Sequence, residues 1–382
     1  MSKQNKTEQK SLFSIDKSIA QETVSTLHRK KLELIPDIHL NLFNGLSETE
    51  KSAWADYLYA NPKEETQKLS LKPHIVGLYD PFADQNEFPA GRRWCVNVYT
   101  GCAFSCKYCY TISYIRNAFQ PRLKNNFELL LDKDLKKIQD FYLHPAPIHI
   151  SNSTDPLQPL EKIHRHTLLL LKKIKEYRNF FTTITILTKN PSILCEPDYL
   201  EVITSLGTEK HSFQVEVTCP FYNDDTRRFF EPGAPKVETR LEGIKKLREK
   251  NITVALRIDP IFPRDPLPKE FFDKPALKDY GAPQSQTEKD LEQLIKFASD
   301  VRCSRIIISP LKLTTDRFNK SDLVPIYLKL FAAANKGKPI KKGSAFRLPW
   351  PLYHHWIEKP SILSKELNIP LIYCKKNLIN TF

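Results

Sequence analysis

Cys102, Cys106 and Cys109 fall within eight residues in the order C-x3-C-x2-C, and no other feature of the 382-residue chain constrains its fold and chemistry so strongly. The segment before them, Val96-Asn97-Val98-Tyr99, reads as the end of a strand, so the thiols sit on a loop leaving a sheet. Thiolates this close wrap three corners of one iron–sulfur cubane, and a fourth iron without a nearby cysteine stays open to a small-molecule ligand. Zinc is the competing reading, but it asks for a fourth ligand and usually favours C-x2-C pairs. Cys95 is the one spare thiol nearby.

The remaining cysteines (Cys95, Cys195, Cys219, Cys303 and Cys374) show no pairing pattern, so no disulfide framework is expected. Met1 to Lys30 lacks an apolar core of the kind a signal peptide needs, and no run of about eighteen apolar residues occurs. These features predict a soluble, cytoplasmic protein with no membrane contact, in a reducing compartment that suits thiolate ligands. A formal charge of +14 favours phosphate-bearing partners if it is clustered, and means only solvated faces if it is spread. Arg92-Arg93, Arg227-Arg228 and the stretch from Lys336 to Lys342 are the densest places. With ten glycines and no G-x-G-x-x-G or Walker loop, neither a Rossmann site nor a P-loop is available for an adenosine cofactor.

Along the chain, residues 1–90 read as a mobile extension with a short helical segment, which the Ser47-x-x-Glu50 capping signature starts. Strand-like runs then alternate with helix-like ones. The strands are expected at Trp94 to Tyr99, Pro147 to Asn152, Thr182 to Thr188, Ser212 to Thr218, Ile252 to Ile258 and Arg305 to Leu311. Helices are expected at Phe127 to Phe141, Glu161 to Tyr177, Pro197 to Leu206, Lys236 to Lys250 and Ser285 to Val301. Strands joined by right-handed helical crossovers make an α/β fold whose parallel sheet curls into a barrel or part of one. Residues 91–315 form this unit, and 316–382 form a C-terminal capping segment, with a helix from Leu323 to Asn335 that Pro349-Trp350-Pro351 breaks off from Ser361 to Leu367, and a last strand at Leu371 to Cys374. Gln214, Glu216 and Thr218 share one strand face, as do Ala255, Arg257 and Asp259. Such an inner polar face serves either a ligand or a buried ion pair that holds the sheet. His354-His355 is read as packing, because adjacent imidazoles on a strand point oppositely.

The cysteine spacing with aromatic Tyr108 before the last thiol resembles the signature of the radical S-adenosylmethionine (radical SAM) superfamily. The string Tyr99-Thr100-Gly101-Cys102 through Cys109-Tyr110 is similar to its spore-photoproduct-lyase-like branch. Further likeness lies in Ser153-Thr154-Asp155 with Glu161, in Thr188-Lys189, in Thr218, and in Phe230-Glu231-Pro232-Gly233-Ala234-Pro235 with Arg240. The resemblance implies a partial (β/α)6 TIM-like barrel with the cluster loop after the first strand. It implies that Cys102, Cys106 and Cys109 ligate a [4Fe–4S] cluster, and that S-adenosyl-L-methionine binds the open iron. By matching position, Tyr108, Thr154, Asp155, Lys189 and Thr218 are the cofactor-binding candidates, with Lys189 facing the cofactor carboxylate. Glu161 suits a cap for the helix that comes after it.

The resemblance also implies an enzyme that cleaves S-adenosylmethionine reductively and abstracts hydrogen with the resulting 5′-deoxyadenosyl radical. An electron donor such as flavodoxin or ferredoxin is then a required partner. Nucleic acid is the leading substrate class on charge and likeness together. One departure limits the analogy. The thiol that the branch carries three residues before the aspartate is Asn152 here, and an amide does not return a hydrogen atom to a carbon radical. Cys219, just past Thr218, is the candidate replacement donor, with burial as a small apolar residue as its plainer role. The alternative class is a non-catalytic nucleic-acid-binding protein with a structural zinc or iron–sulfur site.

Overall fold

The computed structural model describes residues 75–78, 94–141, 146–207, 212–314, 321–342 and 345–374. The helix expected from Ser47, the charged stretch between Pro62 and Pro73, Arg92-Arg93 and the loop from Asp80 to Gly91 lie outside the described residues.

An eight-stranded sheet organises the molecule. In chain order its strands are β1 (Val76–Leu78), β2 (Trp94–Val96), β3 (Ala146–Ile150), β4 (Phe181–Thr188), β5 (Ser212–Thr218), β6 (Thr253–Ile261), β7 (Arg305–Pro310) and, last in the chain, β11 (Leu371–Tyr373). Spatial order follows chain order, and every pairing is parallel except β1 with β2. The six strands expected for the barrel are all present, and the last strand expected at Leu371 to Cys374 is β11, which joins the same sheet with Ile372 beside Ile307. The unforeseen addition is β1, which lies ahead of residue 91 and pairs Val76 with Val96.

Helices return the chain between parallel strands: α1 (Phe127–Phe141), α2 (Pro159–His164), α3 (His166–Glu176), α4 (Pro197–Leu206), α5 (Asp224–Phe230), α6 (Val237–Glu249) and α7 (Glu288–Asp300). Their buried residues recur at helical spacing, as with Phe127, Leu131, Leu135 and Ile138 on α1 and Val237, Ile244 and Leu247 on α6. A capping box at Thr287 and Asp290 starts α7. This is the α/β, mostly parallel architecture of a partial TIM-like barrel.

The helix expected from Glu161 to Tyr177 is two helices. Arg165 takes a left-handed conformation (φ 52°) between them, and the Glu161 carboxylate accepts from Thr167 N (2.9 Å) and Leu168 N (3.1 Å) at the start of α3. Glu161 therefore caps the next helix, and the break that sets this geometry is the price of the cap.

Beyond β7 the chain adds α8 (Leu323–Ala333), α9 (Trp350–Glu366) and a small sheet ordered β8 (Leu313–Thr314), β10 (Ala345–Arg347), β9 (Ile340–Lys342). The expected break between the two helices is present, since α8 ends at Ala333, but the second helix starts at Trp350 and not at Ser361; Pro351 lies in its first turn, where a missing N–H is harmless, and the helix runs on to Glu366. His354 and His355 are thus exposed helical residues, not strand residues.

On the inner polar face, Arg257 pairs with Glu216 (2.6 Å) and with Asp259 (2.5 Å), while Arg305 reaches Glu216 (3.1 Å). Ser309 donates to Asp259, and Arg257 also contacts Cys374 Sγ at 3.2 Å. Burial opposes ionisation of Glu216, but Arg257 and His149 hold its carboxyl below the usual range. The polar faces of β5, β6 and β7 therefore meet in an ion-pair network within the sheet.

Candidate active site

The cysteine loop leaves β2 and ends in a short 3-10 turn, Tyr110–Ser113. Gly101 opens it with φ 75°, and a Cβ there would stand 2.5 Å from the Gln120 carbonyl, so this position needs glycine on both counts. Cys102 N donates to the Ala118 carbonyl at 2.8 Å, and Ser105 takes φ 52°. The loop is gripped from two sides.

From one side comes Gln158, fully buried ahead of α2. Its amide donates to the Gly101 carbonyl (3.0 Å) and accepts from Ala103 N (2.9 Å), clamping the backbone on either side of Cys102. From the other comes the segment after α5. Lys107 N donates to the Phe230 carbonyl (2.9 Å) and Gly233 N to the Phe104 carbonyl (3.1 Å). A Cβ on Gly233 would lie 2.1 Å from the Ala103 carbonyl oxygen, so only glycine permits this approach.

Cys106 is buried with Phe104 and Ala234, while Cys102, Tyr108 and Cys109 pack at the edge of that cluster. Burial pushes the Cys102 thiol up to about 12, with the Asp155 charge adding to it. Burial also raises Cys106, opposed by the nearby Lys189 ammonium. Asp155 follows β3. Its carboxylate accepts from Leu157 N (2.9 Å), the Thr188 hydroxyl (2.8 Å) and Lys189 N (2.6 Å), which ties the ends of β3 and β4 together beside Cys102. The Thr154 hydroxyl next to it is buried with no hydrogen-bond partner among the described residues.

Lys189 extends from the end of β4 to Glu231 (2.8 Å) and to the Tyr108 hydroxyl (3.1 Å). Tyr108 itself donates to Glu231, and Arg240 from α6 holds the other Glu231 oxygen at 2.6 Å. Burial alone would raise Glu231, but Arg240 and Lys189 hold its carboxyl down at about 2. Arg240 also donates to the Thr218 carbonyl (3.1 Å).

Of the residues singled out in the sequence, Cys102, Cys106, Cys109, Tyr108, Asp155 and Lys189 therefore come together at the C-terminal ends of β2, β3 and β4. Thr218 joins through its backbone. Cys219 does not face an opening. It is fully buried, its thiol reaches the Phe221 carbonyl at 3.4 Å, and burial raises it to about 11. Asn152 donates to Cys95 Sγ (3.0 Å), its carbonyl accepts from Tyr110, and its own Oδ1 is buried without a partner among the described residues. Nothing in the sequence pattern assigned a role to Gln158, and Glu231 and Arg240 stood out only as part of a family likeness. Gln158 and Glu231 each stand directly before a proline, and Arg240 lies inside α6.

Among the described residues no three His, Cys, Asp or Glu side chains gather closely enough to hold one metal ion. Three thiols on one loop, the unpartnered Thr154 hydroxyl and an anchored Lys189 fit a cluster with one open iron and a ligand that brings its own ammonium and carboxylate.

Residues 96–265 match the radical SAM superfamily. That superfamily implies an iron–sulfur cluster and S-adenosylmethionine. An uncharacterized protein of Methanocaldococcus jannaschii is 27% identical over 180 residues, 45% of this chain and 62% of that protein. The chain thus matches about three fifths of the length of that curated relative. A spore photoproduct lyase variant aligns with TM-score 0.50 and 11% identity over 79% of each chain, a likeness of fold. A second variant of that lyase, with bound AdoMet and dinucleoside spore photoproduct, aligns with TM-score 0.49 and 12% identity over 78% of this chain and 80% of that one. Among the described residues no helix is long and apolar enough to cross a membrane.

Proposed function

We propose that this chain is a radical SAM enzyme of the spore-photoproduct-lyase-like branch, and that Cys102, Cys106 and Cys109 hold three irons of a [4Fe–4S] cluster. The observation that carries the reading is the meeting of these thiols with Asp155, Thr154 and Lys189 at neighbouring strand ends. When bound, the cluster and S-adenosylmethionine supply a 5′-deoxyadenosyl radical that abstracts hydrogen from a substrate carbon. The protein's part is placement. Gln158 and Gly233 fix the loop, Lys189 meets the cofactor carboxylate, and the Thr154 hydroxyl and Asp155 suit its ammonium. Tyr108 bounds the site next to Lys189.

Electrons come from a small donor such as flavodoxin or ferredoxin. Nucleic acid is the substrate class favoured by the +14 charge. Asn152, with its amide engaged on Cys95, argues against a hydrogen return by the thiol route of spore photoproduct lyase. Anaerobic reconstitution with iron and sulfide tests the reading. A brown protein that releases 5′-deoxyadenosine from S-adenosylmethionine after reduction is expected. Colourless protein holding one zinc would overturn it.

A further inference from the structure

Glu231 is fully buried, yet side chains from three separate segments end on its carboxylate. Tyr108 comes from the cysteine loop, Lys189 from the end of β4 and Arg240 from α6. An ammonium carries three N–H donors. Lys189 directs one to Glu231 Oε1 at 2.8 Å and one to the Tyr108 hydroxyl at 3.1 Å. Its third donor has no protein partner among the described residues, although the side chain is only 14% exposed. A lysine held at one donor still samples many rotamers, whereas a lysine held at two has its third N–H direction set.

The carboxylate is fixed in turn. Arg240 sits 2.6 Å from Glu231 Oε2, and its other nitrogens donate to the Pro235 carbonyl (3.0 Å) and the Thr218 carbonyl (3.1 Å). Glu231 also begins the turn that carries Gly233 against Ala103, with Ala234 N donating to the Glu231 carbonyl at 3.1 Å. One side chain therefore joins the position of the lysine to the position of the cysteine loop.

We propose that Glu231 is a positioning residue for S-adenosylmethionine, acting through Lys189: it aims the free N–H of that ammonium at the cofactor carboxylate and keeps it in register with the cysteine loop. The inference rests on the proposed role of Lys189 as the partner of that carboxylate. Glu231 touches neither cofactor nor substrate.

The test is a double-mutant cycle on the anaerobically reconstituted full chain, reading the dissociation constant of S-adenosylmethionine and the change it causes in the electron paramagnetic resonance spectrum of the reduced cluster. Lys189→Ala is expected to weaken binding at least tenfold, the scale of a lost charge-assisted hydrogen bond. Glu231→Gln is expected to weaken it about fivefold with cluster iron unchanged, and the double variant to be no worse than Lys189→Ala within twofold. Independent, multiplying losses would overturn the proposal, as would a Glu231→Gln variant that binds like the parent or loses iron as a cysteine variant does. An unchanged constant for Lys189→Ala would instead remove the carboxylate contact itself, and Glu231's role with it. Because Glu231→Gln leaves Arg240 buried without its partner, the paired Glu231→Gln/Arg240→Gln variant repeats the measurement with both charges removed. It is expected to show the same fivefold loss, and parent-like binding would overturn the proposal.

Discussion

Glu161 and Glu231 are both fully buried glutamates near the cysteine loop, and they are satisfied in opposite ways. Glu161 takes neutral donors: the Tyr99 hydroxyl (2.5 Å), the Tyr199 hydroxyl, and the backbone amides of Thr167 and Leu168 at the start of α3. Among the described residues it has no ion pair. The partial positive charge of a helix start replaces a cation, and every partner belongs to the scaffold. Glu231 takes two cations and a phenol, and one of those cations retains a free donor. A closed set of partners marks a carboxylate that holds the fold. An open one marks a carboxylate that prepares a site. By the same criterion the network of Glu216, Arg257, Asp259 and Arg305 is closer to Glu161, since its charges are matched within the sheet.

The contrast is sharpest at the thiols. Cys106→Ala should abolish cluster assembly, measured as iron, sulfide and visible absorbance after anaerobic reconstitution. Cys95→Ala should leave all three intact, because Cys95 accepts from Asn152 and lies on β2, ahead of the loop. Equal losses would mean a four-cysteine site and no open iron. Next in size, Glu161→Ala should cost on the order of 4 kcal/mol of stability in denaturant unfolding, since two tyrosines and two helix-start amides lose their acceptor inside the protein. Its folded fraction should still take up a full complement of iron. If Glu161→Ala loses iron without losing stability, the division between scaffold and site carboxylates is wrong. Gly233→Ala sits between the two regions. Its methyl would lie 2.1 Å from the Ala103 carbonyl oxygen, so the loop must move. A loss of about 2 kcal/mol together with lower cluster yield is expected, and wild-type yield would mean that the loop is not set by this contact.

Much of this arrangement was legible in the sequence, and the reason is locality. The limits of β5, α1 and α4 follow from alternation or helical spacing within each segment, and the cysteine loop is recognisable from eight consecutive residues. Most of what escaped depends on partners outside the segment itself. Gln158 acts on Gly101 and Ala103, more than fifty residues earlier in the chain. The split at Arg165 answers to Glu161 turning back on α3, which no helical periodicity records. Strand β1 is three residues long and gains its meaning only by pairing with β2. Pro349-Trp350-Pro351 does separate two helices, but the second starts at Trp350 and not at Ser361, because proline disrupts helix interiors and is neutral in the first turn. Glu231 stood inside the family likeness, yet its importance comes from Lys189 and Arg240 arriving on separate strands and helices.

The smallest expected effect is a pH dependence at Glu231. Arg240 and Lys189 hold the folded-state Glu231 carboxyl down at about 2, while an unfolded glutamate titrates near 4.3. A carboxyl depressed by folding stabilises fully above its unfolded value, and that contribution declines as pH falls toward the folded one. Between pH 5 and pH 4 the unfolded chain already takes up protons at this position and the folded chain does not. Stability of the cluster-free protein should therefore drop by an extra amount on the order of 1 kcal/mol or less over that interval. Glu231→Gln removes the titration, so urea unfolding of the variant should show a flatter acid limb than the parent. A parallel limb would mean that Glu231 is not held ionised by its two cations.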